Sequence, residues 1–262
     1  MSSPSSATLS RLPYKARVLS GLSLANDTTD QMNDLVIQPG FACDDEGIVY
    51  YVPTQLIKRL DANFSAGNNG GILGLTLSKA ANTDYHIFVI RNANNVTDIY
   101  ADTSTTGANK PAGWFIVCRI ASLYTNSAAP PNSAWVLFTQ YNDFFALNVA
   151  SQLVIGNSTS AQFPVVAVPK GFRFEAVIGA RPINASATGL WGAAVFEFGK
   201  SAPPIIEDIA GFNNGSYEYL AINELRVLTD TLGRIVYLAS ATNSATARLT
   251  TKGWYDLRGR NA

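Results

Sequence analysis

The single histidine is the first residue to weigh as a chemical group. His86 lies in an apolar run between Tyr85 and Ile87. A nucleophilic triad would set such a ring against a Ser or Cys and orient it with an acid. No Gly-x-Ser-x-Gly elbow accompanies it, and its setting reads as an ordinary position in a sheet. One His and two separated cysteines, Cys43 and Cys118, do not make a zinc site. The cysteines read instead as free, buried thiols. Gly67-Asn68-Asn69-Gly70-Gly71 lacks the Lys-Ser/Thr of a phosphate-binding loop and reads as a turn. Carboxylates are the remaining chemistry. Glycoside hydrolysis needs two acids across a cleft, and Asp44-Asp45-Glu46, Glu175, Glu197 and Glu207-Asp208 are available. The first cluster reads as a turn with Gly47 and lacks the spaced oxygen ligands of a calcium loop. Glu175 and Glu197 alternate with core positions, which puts them on an outer face. The expectation is a protein that is not an enzyme, with no catalytic residue, no metal and no cofactor.

Aromatic and amide side chains supply a binding chemistry. Sugars are held by aromatic faces together with planar hydrogen-bonding groups. The stretch Phe212-Asn213-Asn214-Gly215-Ser216-Tyr217-Glu218-Tyr219 carries both. Asn213, Asn214, Tyr217 and Tyr219 are therefore candidate glycan contacts. The competing reading has Tyr217 and Tyr219 starting the next strand and packing inward.

The elements that must position these groups are mostly strands, because the hydrophobic period is two. In Asp84 to Arg91 both alternating faces are apolar, so the strand is expected to be covered on both sides. Trp114 to Ala121 and Trp135 to Tyr141 read the same way, joined by a loop with Asn126, Pro130, Pro131 and Asn132. One stretch reads as helical: over Thr54 to Phe64, Leu56, Ile57, Leu60 and Phe64 share a helical face, with Thr54 as cap and Gly67 as terminator. In the second half, Phe172 to Ile178, Trp191 to Phe198 and Thr246 to Asp256 read as strands. Ala221 to Ser240 reads as a hairpin turning at Thr229 to Gly233.

These elements predict an all-β protein of two β-sandwich, jelly-roll-like halves, with one short helix in the first. The expected division is an N-terminal docking arm over 1–17, a β-rich domain over 18–147 and a β-sandwich domain over 148–262. In the arm, Leu12 and Tyr14 are the candidate docking groups. Of the 262 residues, 47% are hydrophobic and 15% charged, against roughly 25% charged in an ordinary domain. The 19 basic and 19 acidic residues balance, which speaks against a basic surface that neutralises phosphates, and so against a nucleic-acid partner. The apolar runs fall short of the ~20 residues of a membrane span, and MSSPSSATLS is not a signal peptide. Low charge with many small and amide residues suits a surface buried against sister subunits.

Lys58 to Phe64 with the glycines after it, Tyr85 to Arg91, Trp114 to Ile120, and Trp135 to Phe138 form a set of segments that resembles bacteriophage tail-fibre-like virion proteins. Glu224 to Val227 and the closing Gly253-Trp254-Tyr255-Asp256-Leu257-Arg258-Gly259-Arg260 extend the match. The resemblance implies a structural component of a tailed-phage particle, as tail fibre, baseplate or appendage. It implies a homo-oligomer, a trimer first among them, made in the host cytoplasm and carried on the virion. The arm would dock other virion proteins, with Arg11 to Arg17 ordered only on that partner, and host-surface glycan would be a further partner. A carbohydrate-binding adhesin and a capsid decoration or head-fibre protein are the alternatives, with a polysaccharide depolymerase behind them.

Overall fold

A computed structural model describes residues 18–74, 76–156, 158, 160–183, 189–200, 209–213, 218–220, 223–239 and 246–258. The described residues contain strands and no helix. They divide into two compact units, one with the described residues 18–143 and 256–258, the other with those between 144 and 255. The described residues 256–258 are grouped with the first unit.

In chain order the first unit has β1 (Leu19–Gly21), β2 (Leu24–Asn26), β3 (Asp34–Ile37), β4 (Gly40–Cys43), β5 (Val49–Val52) and β6 (Leu56–Asn63). These are followed by β7 (Gly70–Leu73), β8 (Asp84–Asn92), β9 (Thr97–Asp102), β10 (Trp114–Tyr124) and β11 (Phe138–Tyr141). Strands β1-β4-β5 form a small antiparallel sheet. A seven-stranded sheet runs β10-β8-β9-β7-β6-β3-β2, parallel where β7 meets β6 and β9. Six consecutive residues of β8, Tyr85 to Ile90, are buried, as a strand apolar on both faces requires. Phe88, Ile90 and Tyr100 form a cluster that Phe64 and Trp114 close from the side. Cys43 and Cys118 are both buried and not disulfide-bonded.

The expected helix over 54–64 is instead β6. Its buried positions are Leu56, Lys58 and Leu60, a period of two, while Arg59 and Asp61 point to solvent. Short apolar runs fit both periods, and the available partners decide. Here β3 lies along one edge and the glycine-rich β7 along the other. A Cβ on Gly71 would stand 1.9 Å from the Asn63 carbonyl oxygen, so that approach needs glycine.

The second unit has β12 (Phe144–Gly156), β13 (Glu175–Ile183), β14 (Gly189–Phe196), β15 (Ile209–Asn213), β16 (Glu218–Leu220), β17 (Asn223–Leu228), β18 (Val236–Ala239) and β19 (Thr246–Tyr255). Strands β12, β19, β13 and β17 lie side by side in that order, and β16-β15-β14-β18 form a second sheet. Phe145 and Trp254, opposite each other across β12 and β19, are fully buried and stacked at 5.6 Å. The expected hairpin over 221–240 resolves differently. The chain does turn at 229–233, where Asp230 Oδ1 accepts the amides of Leu232 and Arg234 and Gly233 takes φ 74°. But β17 pairs with β13 and β18 with β14, so the arms enter different sheets. Turn chemistry sets the reversal; which strand lies alongside is set by burial of Ile235 and Tyr237 among non-local neighbours.

Candidate functional site

The first unit gathers chemistry-bearing residues around Asp256. Arg119 on β10 meets its carboxylate through two parallel hydrogen bonds, 2.6 and 2.7 Å long. The backbone amides of Ser122 and Arg258 donate to the same carboxylate at 2.9 and 2.7 Å. Arg119 also donates to Ser122 Oγ at 2.8 Å, and that hydroxyl lies 2.8 Å from His86 Nδ1. Ser, His and Asp are therefore neighbours, but in the wrong order for nucleophilic attack. Asp256 orients the arginine and the Ser122 amide, and the serine oxygen faces a guanidinium. All four side chains are buried. Burial first, then the Arg119 charge, push the His86 pKa down to about 4, so the ring is neutral at pH 7. Arg119 can only donate to Ser122 Oγ, and which of Oγ and Nδ1 donates in the bond between them follows the tautomer of the neutral ring. The cluster ties residues 256–258 into the first unit: Arg258 reaches on to the carbonyls of Ile120 (3.0 Å), Gly21 (3.2 Å) and Leu22.

A second buried pair joins β6 to β9. The Lys58 ammonium faces Asp98 at 3.1 Å and donates to the carbonyls of Ser65 and Gly67 at 2.8 and 3.3 Å. Asp98 in turn accepts the Gly67 amide at 2.6 Å. Burial lowers the Lys58 pKa, against the pull of Asp98. This pair is what turns Lys58 inward.

The second unit carries surface recesses. Glu175 and Glu197, both read from sequence as outer-face acids, line one of about 470 Å3 with Lys200, Arg226, Val195 and Phe196. Glu197 is ion-paired to Arg173 and, at 2.6 Å, to Lys200. These two cations hold its pKa below the ordinary carboxylate value. A general acid needs the opposite shift, so Glu197 is equipped to accept hydrogen bonds. A neighbouring recess of about 390 Å3 is lined by Phe163, Phe196, Phe198, Lys200, Val236 and Leu238. Phe163 is 52% exposed and meets Phe198 edge to face at 5.3 Å. Phe163 follows a charge-free stretch and was not singled out in the sequence; its only signal there is an aromatic beside Pro164.

Of the residues expected to contact glycan, Asn213 ends β15 opposite Glu218, and Tyr219 lies in β16 opposite Phe212. Asn214 and Tyr217 lie outside the described residues, as do Leu12, Tyr14 and the Glu207-Asp208 pair. Asp44 to Gly47 form a turn in which Asp44 Oδ1 accepts the amides of Glu46 and Ile48. Among the described residues no group of three His, Cys, Asp or Glu is placed to hold a metal ion, and no helix is long and apolar enough to cross a membrane. Comparison with known proteins finds no matching family model and no matching curated protein.

Proposed function

We propose that this chain is a structural component of a tailed-phage virion, a tail fibre, baseplate or appendage protein, that assembles as a homo-oligomer and helps attach the particle to its host. A jelly-roll-like stacking of the sheets within each unit belongs to the same proposal. The observation that supports assembly is β12. From 148 to 156 none of its residues is buried, with Val149 77% and Val154 54% exposed. No charged residue occurs between Asp143 and Lys170. The ladder from β12 to β19 is irregular between Ala146 and Ser151, yet the strand lacks the charge that commonly guards an exposed strand, and the centres of interfaces between copies are depleted of charge. An interface of ordinary size, about 1,600 Å2, would cover this stretch on both copies. Closed symmetry would also present each weak ligand site several times on one particle.

Size-exclusion chromatography with light scattering tests the reading on the full chain. The expected mass is a multiple of 28.1 kDa, reduced to the single-chain mass by Val149→Lys with Val154→Lys. A wild-type monomer at high concentration would refute assembly, and absence of the chain from purified particles would refute the virion role.

A further inference from the structure

The turn that follows β14 separates the two recesses of the second unit. Gly199 takes a left-handed φ of 87°, and the Lys200 amide closes back on the Glu197 carbonyl at 3.3 Å. Phe196 and Lys200 line both recesses, so the two adjoin. One side is polar, with two carboxylates, Glu175 and Glu197, set against two cations, Lys200 and Arg226. The other is aromatic, with Phe163 and Phe198. Arg234 lies 4.3 Å over the Phe198 ring and is itself tied to Asp230 at 2.7 Å, which backs that ring with a fixed cation. Each recess falls within the volume range of small-molecule sites.

We propose that the paired recesses flanking the 196–200 turn bind a neutral oligosaccharide. The site needs a ligand with an apolar C–H face on one side and several hydroxyls on the other. Phe163 is the stacking platform, Glu175 and Glu197 accept hydroxyl protons, and Lys200 and Arg226 donate to ring and hydroxyl oxygens. Glu175 and Glu197 stand among the cations of this recess, so an anionic sugar would meet carboxylates where the hydroxyls of a neutral one find acceptors. A nucleic acid would meet two carboxylates. This site deepens the attachment role proposed above and is separate from the 212–219 stretch.

The test is saturation-transfer NMR on the full chain. The probes are neutral gluco-, galacto- and manno-oligosaccharides, with uronic-acid oligomers as the charged comparison. Saturable transfer from a neutral probe is expected, weakened about tenfold by Phe163→Ala and severalfold by Glu197→Gln. Tyr219→Ala should leave it unchanged. Circular dichroism checks that the variants fold; Phe163 is exposed enough for its truncation to spare the core. No transfer from any neutral probe at about 10 mM, binding of uronic acids alone, or undiminished binding in folded Phe163→Ala would overturn the proposal. Oligomeric mass, read in parallel by light scattering, separates failure of this site from failure of the assembly reading.

Discussion

Removing the Asp256 carboxylate should be among the most damaging single changes in the first unit. Asp256 is 1% exposed and Arg119 7%. Asp256→Ala deletes both arms of the Arg119 pair and leaves the amides of Ser122 and Arg258 without their acceptor. Stranding one partner of a buried ion pair costs about 3–5 kcal/mol, and an orphaned buried amide about 1–3 kcal/mol more where water cannot enter. A loss of about 4 kcal/mol allows for partial hydration of the space left behind. With a urea dependence of about 2 kcal/mol per M, the unfolding midpoint falls by about 2 M. The cost has a signature that simple truncation would not produce. Arg119→Met with Asp256→Ala removes the stranded charge and leaves only the amides, so the double variant should be more stable than Asp256→Ala alone. Urea titration of the three proteins decides this. A midpoint shift below about 0.5 M for Asp256→Ala, or a double variant less stable than the single one, would refute a buried charge pair as the anchor of residues 256–258.

Three further outcomes follow from the buried groups. His86 has a folded pKa of about 4 against 6.5 unfolded. The unfolded chain therefore binds the extra proton first, and stability is complete above pH 6.5 and falls by about 3 kcal/mol as pH drops to 4. Thermal unfolding across that window should show this slope, and His86→Gln should flatten it. Asp34 behaves in the opposite sense. Burial, then Asp30, raise its pKa from 3.8 to about 6, and one buried carboxylate oxygen has no hydrogen-bond partner. Its charged form opposes folding above pH 6, and the penalty fades as pH falls. Asp34→Asn should therefore raise the melting temperature at pH 8 and change it little near pH 4. At the Lys58–Asp98 pair, Asp98→Ala strands a fully buried ammonium and should cost about 3–5 kcal/mol by urea titration. Lys58→Met leaves Asp98 its amide donor from Gly67 and should cost less; the reverse order would count against the buried-charge argument.

How much of this was legible in sequence depends on the range of the interaction involved. Alternation at Tyr85 to Ile90, the turns at Asp44 to Gly47 and 229–233, and the low charge are local features. They are enough to read an all-β chain, because side chains on a strand change face every residue and turn residues close their own hydrogen bonds. Leu56 to Asn63 shows where this ends. Its apolar residues satisfy a helical stripe, yet Lys58 faces inward because Asp98, forty positions on, and two loop carbonyls receive its ammonium. Likewise β17 and β18 follow one turn but join different sheets, and Asp256 finds Arg119 across 137 residues.

The candidate site divides in the same way. Glu175 and Glu197 stood out as acids, but twenty-two residues of chain say nothing about whether two side chains share a recess. That meeting is made by β13 and the end of β14, and the recess beside it takes Phe163 from a segment bridged to Tyr237 and Arg234. Strand period, chain reversals and the scarcity of charge are readable from local sequence, since each acts over a few bonds. Sheet order, the identity of the buried charges and the meeting of side chains emerge on folding, because they depend on pairings whose partners lie tens to more than a hundred residues apart.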